Sequence, residues 1–377
     1  MADDDATMAM AKPKTSTRDH ADLRERLTLW LRSQLPADAA PTISELSAPT
    51  TNGLSSETLL FDAEWRDGNT RHTQRCAARL APDPTAVPVF PAYDLEKQIR
   101  LIRLVDERTT VPVPRVLWYE PDGAALSSPF FVMERVDGLV PPDLMPYTFG
   151  SWLSEASPAD RARLQRASVG VLAELHGMHA PPHDVAFLEI DQPGDTALRR
   201  HVTDQEAYYA WVAHDGVRSP LIERTFAWLE DHWPKDDTEA LVCWGDARIG
   251  NILYRDFEPV GVLDWEMAAL GPREIDIAWM ITLHQFFQEI AEVLELPGLP
   301  DFMRRDDVAA MYEASTGVTP NDLSFYEVYA SLRHAIIMFR IGRRAVHFGE
   351  TEMPDDPDDL VTHRGMVQRM LDGTYWS

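Results

Sequence analysis

The stretch of residues 241–279 constrains the fold most, because single polar residues stand at fixed points between short apolar runs. The run Leu-Val-Cys-Trp at its start has the length and composition of a buried strand, and Gly-Asp follows it directly. Asn251 comes five residues after Asp246, and a strand–turn–strand pattern then leads to Asp264. Such a hairpin can bring two carboxylates and one amide to the same place.

This spacing is typical of the catalytic loop of a kinase. In that interpretation Asp246 orients and deprotonates a hydroxyl, while Asn251 and Asp264 hold Mg²⁺ through their side-chain oxygens. The alternative is that both aspartates are turn formers in an ordinary hairpin, since short motifs also match by chance. The second aspartate behind the hairpin favours the kinase interpretation.

The stretch resembles the aminoglycoside phosphotransferase family, whose members are small-molecule kinases that include choline and homoserine kinases. Residues 244–246 (WGD) resemble the family's His-Gly-Asp, residues 263–266 (LDWE) its metal-binding segment, and residues 271–279 its following Gly-Pro…Asp-Leu-Ala-Trp element. The Asp-Trp-Glu motif and the sequence of residues 275–279 are most similar to those of actinobacterial members and of kinase domains that lie beside acyl-CoA dehydrogenases. In outline the resemblance covers residues 45 to 345.

The resemblance implies a bilobal, protein-kinase-like α+β fold with an antiparallel-sheet N-lobe and a mainly helical C-lobe. We expect a mobile polar tail at residues 1–16, because this segment has no apolar pattern. The nucleotide-binding N-lobe then spans residues 17–138 and begins with an added helix. Gly138 follows the last predicted strand of the sheet, so the C-lobe is expected at residues 139–377.

Several N-lobe residues are expected to bind the nucleotide. A turn between strands could lay backbone N–H groups against ATP phosphates, although an ordinary hairpin turn is the alternative. The segment before residue 138 is similar to the family's hinge, whose backbone meets the adenine. These expectations name Gly53, Ser55 and Ser56 in the turn and Met133, Glu134 and Val136 in the hinge.

By the same resemblance, Arg79 takes the place of the lysine that holds the α/β-phosphates and pairs with a glutamate on the next helix. Glu96 is the expected helix partner, with Gln98 as the alternative. Arg248, inside the catalytic loop, would steady the γ-phosphate or the substrate, with a surface position as the alternative. Glu266 is expected to contact substrate or metal from its position two residues after Asp264.

Two departures from the family's pattern keep a second class of function open. Trp244 stands where the family has histidine, and Arg79 replaces lysine. An indole N–H can donate a hydrogen bond but cannot accept one, and a guanidinium still clamps phosphate with a different geometry. The chain is therefore expected to be a kinase that uses ATP and Mg²⁺, with a catalytically inactive nucleotide-binding or regulatory protein as the alternative.

Composition limits the partners. The chain has 35 Lys and Arg against 61 Asp and Glu, a net charge of −26, so nucleic acid is an unsuitable partner. The acidic field suits a cationic substrate or simply maintains solubility. Two cysteines and the absence of a long apolar run in the sequence predict a cytoplasmic protein with no membrane contact. We also expect a monomer or a homodimer.

The acceptor stays undecided at this level. The family label indicates an aminoglycoside-like compound, whereas the similarity to kinase domains beside acyl-CoA dehydrogenases indicates a hydroxyacid or hydroxyacyl-CoA. Sequence also leaves open whether ATP or GTP is the preferred donor.

Overall fold

A computed structural model describes residues 18–49, 57–82, 87–143, 146–235 and 239–376. The tail predicted at residues 1–16 and the predicted phosphate-binding turn residues Gly53, Ser55 and Ser56 lie outside these ranges.

The N-terminal part is built on one five-stranded antiparallel sheet with the strand order β1-β2-β3-β5-β4. Its strands are β1 (Thr42–Ile43), β2 (Glu57–Asp67), β3 (Thr70–Leu80), β4 (Val116–Glu120) and β5 (Phe130–Glu134). β4 is an edge strand, the position that the preceding proline-rich segment suits. Its hydrogen-bonded part begins only at Val116, because Pro112 and Pro114 cannot donate to a ladder.

Alternation along β3 separates the two faces of this sheet. Cys76, Ala78 and Leu80 pack toward α1 (His20–Gln34), whose Leu23, Leu27 and Leu31 are buried. Ala77 instead joins the main core with α2 (Leu95–Arg108). Arg79, two residues on, therefore shares this second face, which looks toward the helical part of the molecule.

The C-terminal part is mainly helical. Two short antiparallel pairs lie within it, formed by β6 (Leu241–Cys243) with β9 (Ala269–Gly271) and by β7 (Ile252–Arg255) with β8 (Glu258–Val262). Its helices are α3 (Pro158–His176), α4 (Pro182–Val185), α5 (Ala197–Val212), α6 (Pro220–Asp231), α7 (Glu274–Val293), α8 (Arg305–Thr316), α9 (Leu323–His347) and α10 (Arg364–Leu371). The predicted bilobal α+β fold is thus confirmed.

Local sequence explains where the main helices begin and how deeply they lie. Ser157 and Ser219 cap α3 and α6 through their hydroxyls, each with proline at the next position. Helix α7 is apolar nearly all round and is buried against α9, as its composition predicts. Across the described ranges, no helix is long and apolar enough to cross a bilayer.

Candidate active site

The catalytic-loop segment leaves β6 through a turn that only glycine can make. Gly245 has φ +87°, and a Cβ built on it would lie 2.1 Å from the backbone oxygen of Met267. The turn therefore requires glycine at position 245, and it carries Asp246 away from the strand.

Asp246 is held by three side chains. The Asn251 Nδ2 donates to Oδ2 at 2.7 Å, and the Trp279 indole Nε1 donates to Oδ1 at 2.7 Å. The Arg248 Nε lies 3.2 Å and 3.3 Å from the two carboxylate oxygens. The structure brings Asn251 and Arg248 into direct contact with Asp246, and the half-buried Arg248 does not take the surface position that was the alternative for it.

The β7–β8 hairpin returns Asp264 to the same loop. The Leu263 N–H donates to the backbone oxygen of Asn251 at 2.9 Å, which fixes the end of β8 against the catalytic loop. Asp264 itself has φ +63°, a left-handed conformation that is uncommon outside glycine and asparagine. The Trp244 indole N–H donates to the backbone oxygens of Leu263 (2.9 Å) and Asp264 (3.1 Å) and so supports this conformation.

Arg79 reaches from β3 to the Asp264 segment. Its Nη2 donates to Asp264 Oδ1 at 2.6 Å and to Glu266 Oε2 at 3.0 Å. Burial alone would lower the pKa of Arg79, but the two carboxylates outweigh burial and raise the pKa above its ordinary value. Arg79 is therefore a permanent cation beside Asp264.

The expected Arg79–Glu96 ion pair is wrong for this structure. Glu96 lies exposed in the first turn of α2, while the carboxylates bound to Arg79 come from Asp264 and Glu266. The buried position on that turn belongs to Gln98, which is 2% exposed. Two residues along a helix differ by about 200° in direction, so Glu96 and Gln98 cannot face the same side.

A cavity of about 720 Å³ lies between the sheet and the helical part. Arg79 and Gln98 line it from the sheet side, and Asn251 and Asp264 line it from the catalytic loop. The predicted hinge residues Met133, Glu134 and Val136 line it as well. Asp246 is joined to this lining through Asn251, and Glu266 through Arg79, while Arg248 contacts Asp246.

The opposite side of the catalytic loop rests on Asp276 of α7, which has no exposed surface. The backbone N–H groups of Trp244 and Gly245 donate to its two oxygens at 2.7 Å and 2.8 Å. His176 Nε2 lies 3.1 Å from Asp276 Oδ2, and its Nδ1 lies 3.0 Å from the Tyr312 hydroxyl. These contacts fix the start of the catalytic loop against α7.

His176, Cys243 and Asp276 lie close enough together to raise the question of a second metal site, with ligand atoms within 4.8 Å of one another. His176 and Asp276 contact each other, and both also contact groups outside the cluster. The Cys243 thiol donates to the backbone oxygens of Gly271 and Pro272. Hydrogen bonds within the described chain therefore account for all three side chains, which pack behind the catalytic loop.

Sequence reasoning missed three residues that contact the loop. Asp143 forms an ion pair with Arg248, and Trp279 holds Asp246. Arg333 of α9 donates to the Gly245 backbone oxygen at 3.1 Å, and its guanidinium carbon lies 4.5 Å from the centre of the Trp279 ring. Asp143 and Arg333 lie 105 and 88 residues from their partners, so no local spacing signals these contacts.

Together these features define a two-lobed, kinase-like protein with an aspartate-and-asparagine loop beside a nucleotide-sized cavity. The model of the phosphotransferase enzyme family known as APH matches residues 69–301, which is more than half of the 377 residues. The chain belongs to this family, and the resemblance seen in the sequence is confirmed.

The curated proteins that this chain resembles include acyl-CoA dehydrogenase family members. The human family member 11 is 26% identical over 237 residues, which are 60% of this chain and 28% of that protein. The mouse family member 10 is 26% identical over 284 residues, which are 71% of this chain and 24% of that protein. The chain spans about a quarter of the length of these relatives.

Similar solved structures carry aminoglycoside phosphotransferase names. One is a crystal structure from Ralstonia eutropha JMP134, which is assigned provisionally as an aminoglycoside phosphotransferase. It has a TM-score of 0.60 and 22% identity, and the similarity covers 93% of this chain and 97% of that chain. The ternary complex of APH(4)-Ia with AMP-PNP and hygromycin B has a TM-score of 0.53 and 13% identity and covers 93% and 99%. At these identities the likeness shows the fold alone.

Proposed function

We propose that this chain transfers the γ-phosphoryl group of ATP to a hydroxyl of a small molecule. The observation that carries the proposal is the convergence of Asp246, Asn251, Asp264 and Arg79 beside one cavity of about 720 Å³. That volume lies in the range of cofactor and ligand sites. Anionic, amide and cationic groups at one end are what a triphosphate and its metal require.

In this mechanism Asp246 is the catalytic base. Its two oxygens accept from Trp279 and Asn251, which fixes the plane of the carboxylate while leaving lone pairs for a substrate hydroxyl. The hydroxyl oxygen forms a bond to the γ-phosphorus. At the same time, the bond between the γ-phosphorus and the oxygen that links it to the β-phosphate breaks. The hydroxyl proton passes to Asp246, and ADP leaves.

Asn251 and Asp264 have the right free atoms to hold Mg²⁺. Both contacts of the Asn251 amide nitrogen go to Asp246, so its Oδ1 is left as a ligand. Arg79 occupies Oδ1 of Asp264, which leaves Oδ2. Oxygen ligands of this kind suit Mg²⁺, and the bound ion would neutralise charge on the phosphates.

The remaining predicted nucleotide contacts are proposals of the same kind. The hinge residues Met133, Glu134 and Val136 would meet the adenine, and Gly53, Ser55 and Ser56 would approach the phosphates. Arg248 carries a raised pKa because Asp143 and Asp246 outweigh the effect of burial, so it stays charged and can steady the γ-phosphate.

For the acceptor we propose a hydroxyacid or hydroxyacyl-CoA. The support is the set of relatives named as acyl-CoA dehydrogenase family members, in which the matching segment forms part of a larger protein. The name of a neighbour bound to hygromycin B favours an aminoglycoside-like acceptor as the second candidate.

The test is ATP consumption with Mg²⁺ across a panel of hydroxyacids, hydroxyacyl-CoA esters and aminoglycosides. We expect ATP consumption with hydroxyacids or with hydroxyacyl-CoA esters. Asp246→Asn should lower the turnover rate by about 10²- to 10⁴-fold. Asp264→Ala should lose activity as well. Asp256→Asn is the matched control, because Asp256 is exposed in the turn of the same hairpin and asparagine tolerates its positive φ.

The outcomes separate the alternatives. Turnover of aminoglycosides alone would replace the proposed acceptor class. Mg-ATP binding without consumption across the whole panel would favour the inactive nucleotide-binding alternative. Rates like those of the unmodified chain in both Asp246→Asn and Asp264→Ala would contradict the mechanism.

A further inference from the structure

Among the residues that the structure describes, the carboxylates that contact Arg79 both lie on one side of its guanidinium. Both of its carboxylate contacts, to Asp264 and Glu266, go through the single nitrogen Nη2. Its Nε is buried and has no hydrogen-bond partner among the described residues. A guanidinium presents five N–H donors in a fixed plane, so the rest of this donor set is available to a ligand in the cavity that Arg79 lines.

The helix α2 supplies an amide where kinases supply a carboxylate. In a kinase, the cation on the third strand pairs with a glutamate of the following helix. Here the buried residue at that place is Gln98, which lines the same cavity as Arg79. Its Nε2 is buried without a hydrogen-bond partner in the described chain. A buried donor left unpaired costs free energy, so Gln98 is poised to donate to a bound group.

Charge explains why a neutral side chain suits position 98. Arg79 already has two carboxylate partners, Asp264 and Glu266, so this small group carries a net negative charge before any metal binds. A third carboxylate on α2 would add repulsion toward a triphosphate entering the cavity. Gln98 instead offers a donor and adds no charge.

We propose that Glu266 positions Arg79 for the nucleotide phosphates in place of a helix glutamate, and that Gln98 donates directly to a phosphate oxygen. Glu266 acts through Arg79 and is a positioning residue. Gln98 touches the nucleotide itself and is a binding residue. This inference rests on the proposed function and specifies how its nucleotide site is built.

A reciprocal exchange tests the idea. Isothermal titration with Mg-ADP measures the affinity of the full chain, of Glu266→Gln, of Gln98→Glu and of the double variant Gln98→Glu/Glu266→Gln. We expect each single substitution to weaken binding by about 10- to 100-fold, the range for a hydrogen bond to a charged group. The double variant should bind about 10-fold more weakly than the unmodified chain, as Gln98→Leu does, and not as weakly as the two single losses combined, since one carboxylate again accompanies Asp264 while the donor of Gln98 is lost.

Gln98→Leu isolates the amide without touching the Arg79 group. It should weaken Mg-ADP binding by about 10-fold through the loss of one donor. Asp106→Asn, an exposed change on the same helix, is the matched control and should bind like the unmodified chain. Thermal unfolding of every variant shows whether it is folded before its affinity is compared.

The possible results distinguish a failure of this inference from a failure of the proposed function. Folded single variants with unchanged affinity, or a double variant as weak as the sum of its parts, would overturn the inference while leaving the proposed function in place. An unmodified chain that binds no Mg-ADP would instead overturn the proposed function.

Discussion

The two sides of the catalytic loop differ in how far their polar groups are satisfied. On the side toward α7, Asp276 accepts from two backbone N–H groups and from His176, which in turn contacts Tyr312. On the side toward the cavity, Arg79 Nε and Gln98 Nε2 have no partner within the described chain. On the side of α7, the hydrogen-bonding groups named above have partners within the described chain. On the cavity side, two donors lack a partner there, and a bound ligand could supply the acceptors.

This contrast teaches how one short loop serves two purposes. The backbone N–H groups of Trp244 and Gly245 are bound by Asp276, which fixes the start of the loop. The side chain of Asp246 can therefore keep its orientation without a ligand. The unpaired donors of Arg79 and Gln98 would be satisfied by the nucleotide that we propose to bind in the cavity. Rigid support beneath an open site is the arrangement that keeps catalytic geometry precise.

The largest expected effect comes from breaking the brace. Asp276→Asn places an amide NH₂ against one of the two backbone donors, which leaves a buried N–H unpaired. The free energy of unfolding should fall by about 2–5 kcal/mol. Urea denaturation measures it, with Asp306→Asn as the control, because Asp306 is an exposed aspartate in the first turn of α8. Equal stability of the two variants would contradict the account of the brace.

A smaller effect is expected from the indole that orients Asp246. Trp279→Phe keeps an aromatic ring under Arg333 and removes the N–H that donates to Asp246 Oδ1 at 2.7 Å. Steady-state kinetics should show kcat lowered by about 10- to 100-fold with the KM for ATP nearly unchanged. Trp228→Phe, at a half-buried tryptophan of α6, serves as the control. A change confined to KM would show that Trp279 does not orient the base.

The smallest effect concerns protons in the helical core. Burial lowers the pKa of His284 to about 4, and its two nitrogens contact the Tyr147 hydroxyl and the Leu299 backbone oxygen. Below the ordinary histidine pKa of about 6.5, only the unfolded chain takes up this proton, so stability is lost as pH falls toward 4. At pH 5 the loss due to His284 should be about 2 kcal/mol.

His284→Gln removes this contribution because glutamine does not titrate. Urea denaturation at pH 7 and pH 5 should therefore show a smaller drop for the variant than for the unmodified chain. An equal drop in both would mean that His284 is not the group responsible.

Sequence predicted the brace and the open site to different extents. Helix starts at Ser157 and Ser219 and the hairpin that delivers Asp264 follow from local patterns, and the structure has them. Choosing Glu96 as the partner of Arg79 failed, because the choice depended on which side of α2 faces the cavity. That orientation is decided by packing across the whole sheet and core, which one sequence does not display.

The contacts that could not be predicted from the sequence have one physical feature in common. Asp143, Trp279 and Arg333 reach the catalytic loop from three separate elements, and each contact depends on the tertiary arrangement. Trp279 ends the segment that resembles the family's Gly-Pro…Asp-Leu-Ala-Trp element, but neither that motif nor its apolar helix pattern assigns it a contact with Asp246. No spacing rule marks an indole that points at a carboxylate.

The most direct test of the central claim is the dependence of ADP affinity on Mg²⁺. Asp264→Asn keeps the shape of the side chain and tolerates its positive φ, so it removes the charge that would hold the ion. Calorimetry with and without Mg²⁺ should show affinity raised by about 10-fold or more by the ion in the unmodified chain and not in the variant. The same Mg²⁺ effect in both proteins would contradict the placement of a magnesium-bound triphosphate between Asn251 and Asp264.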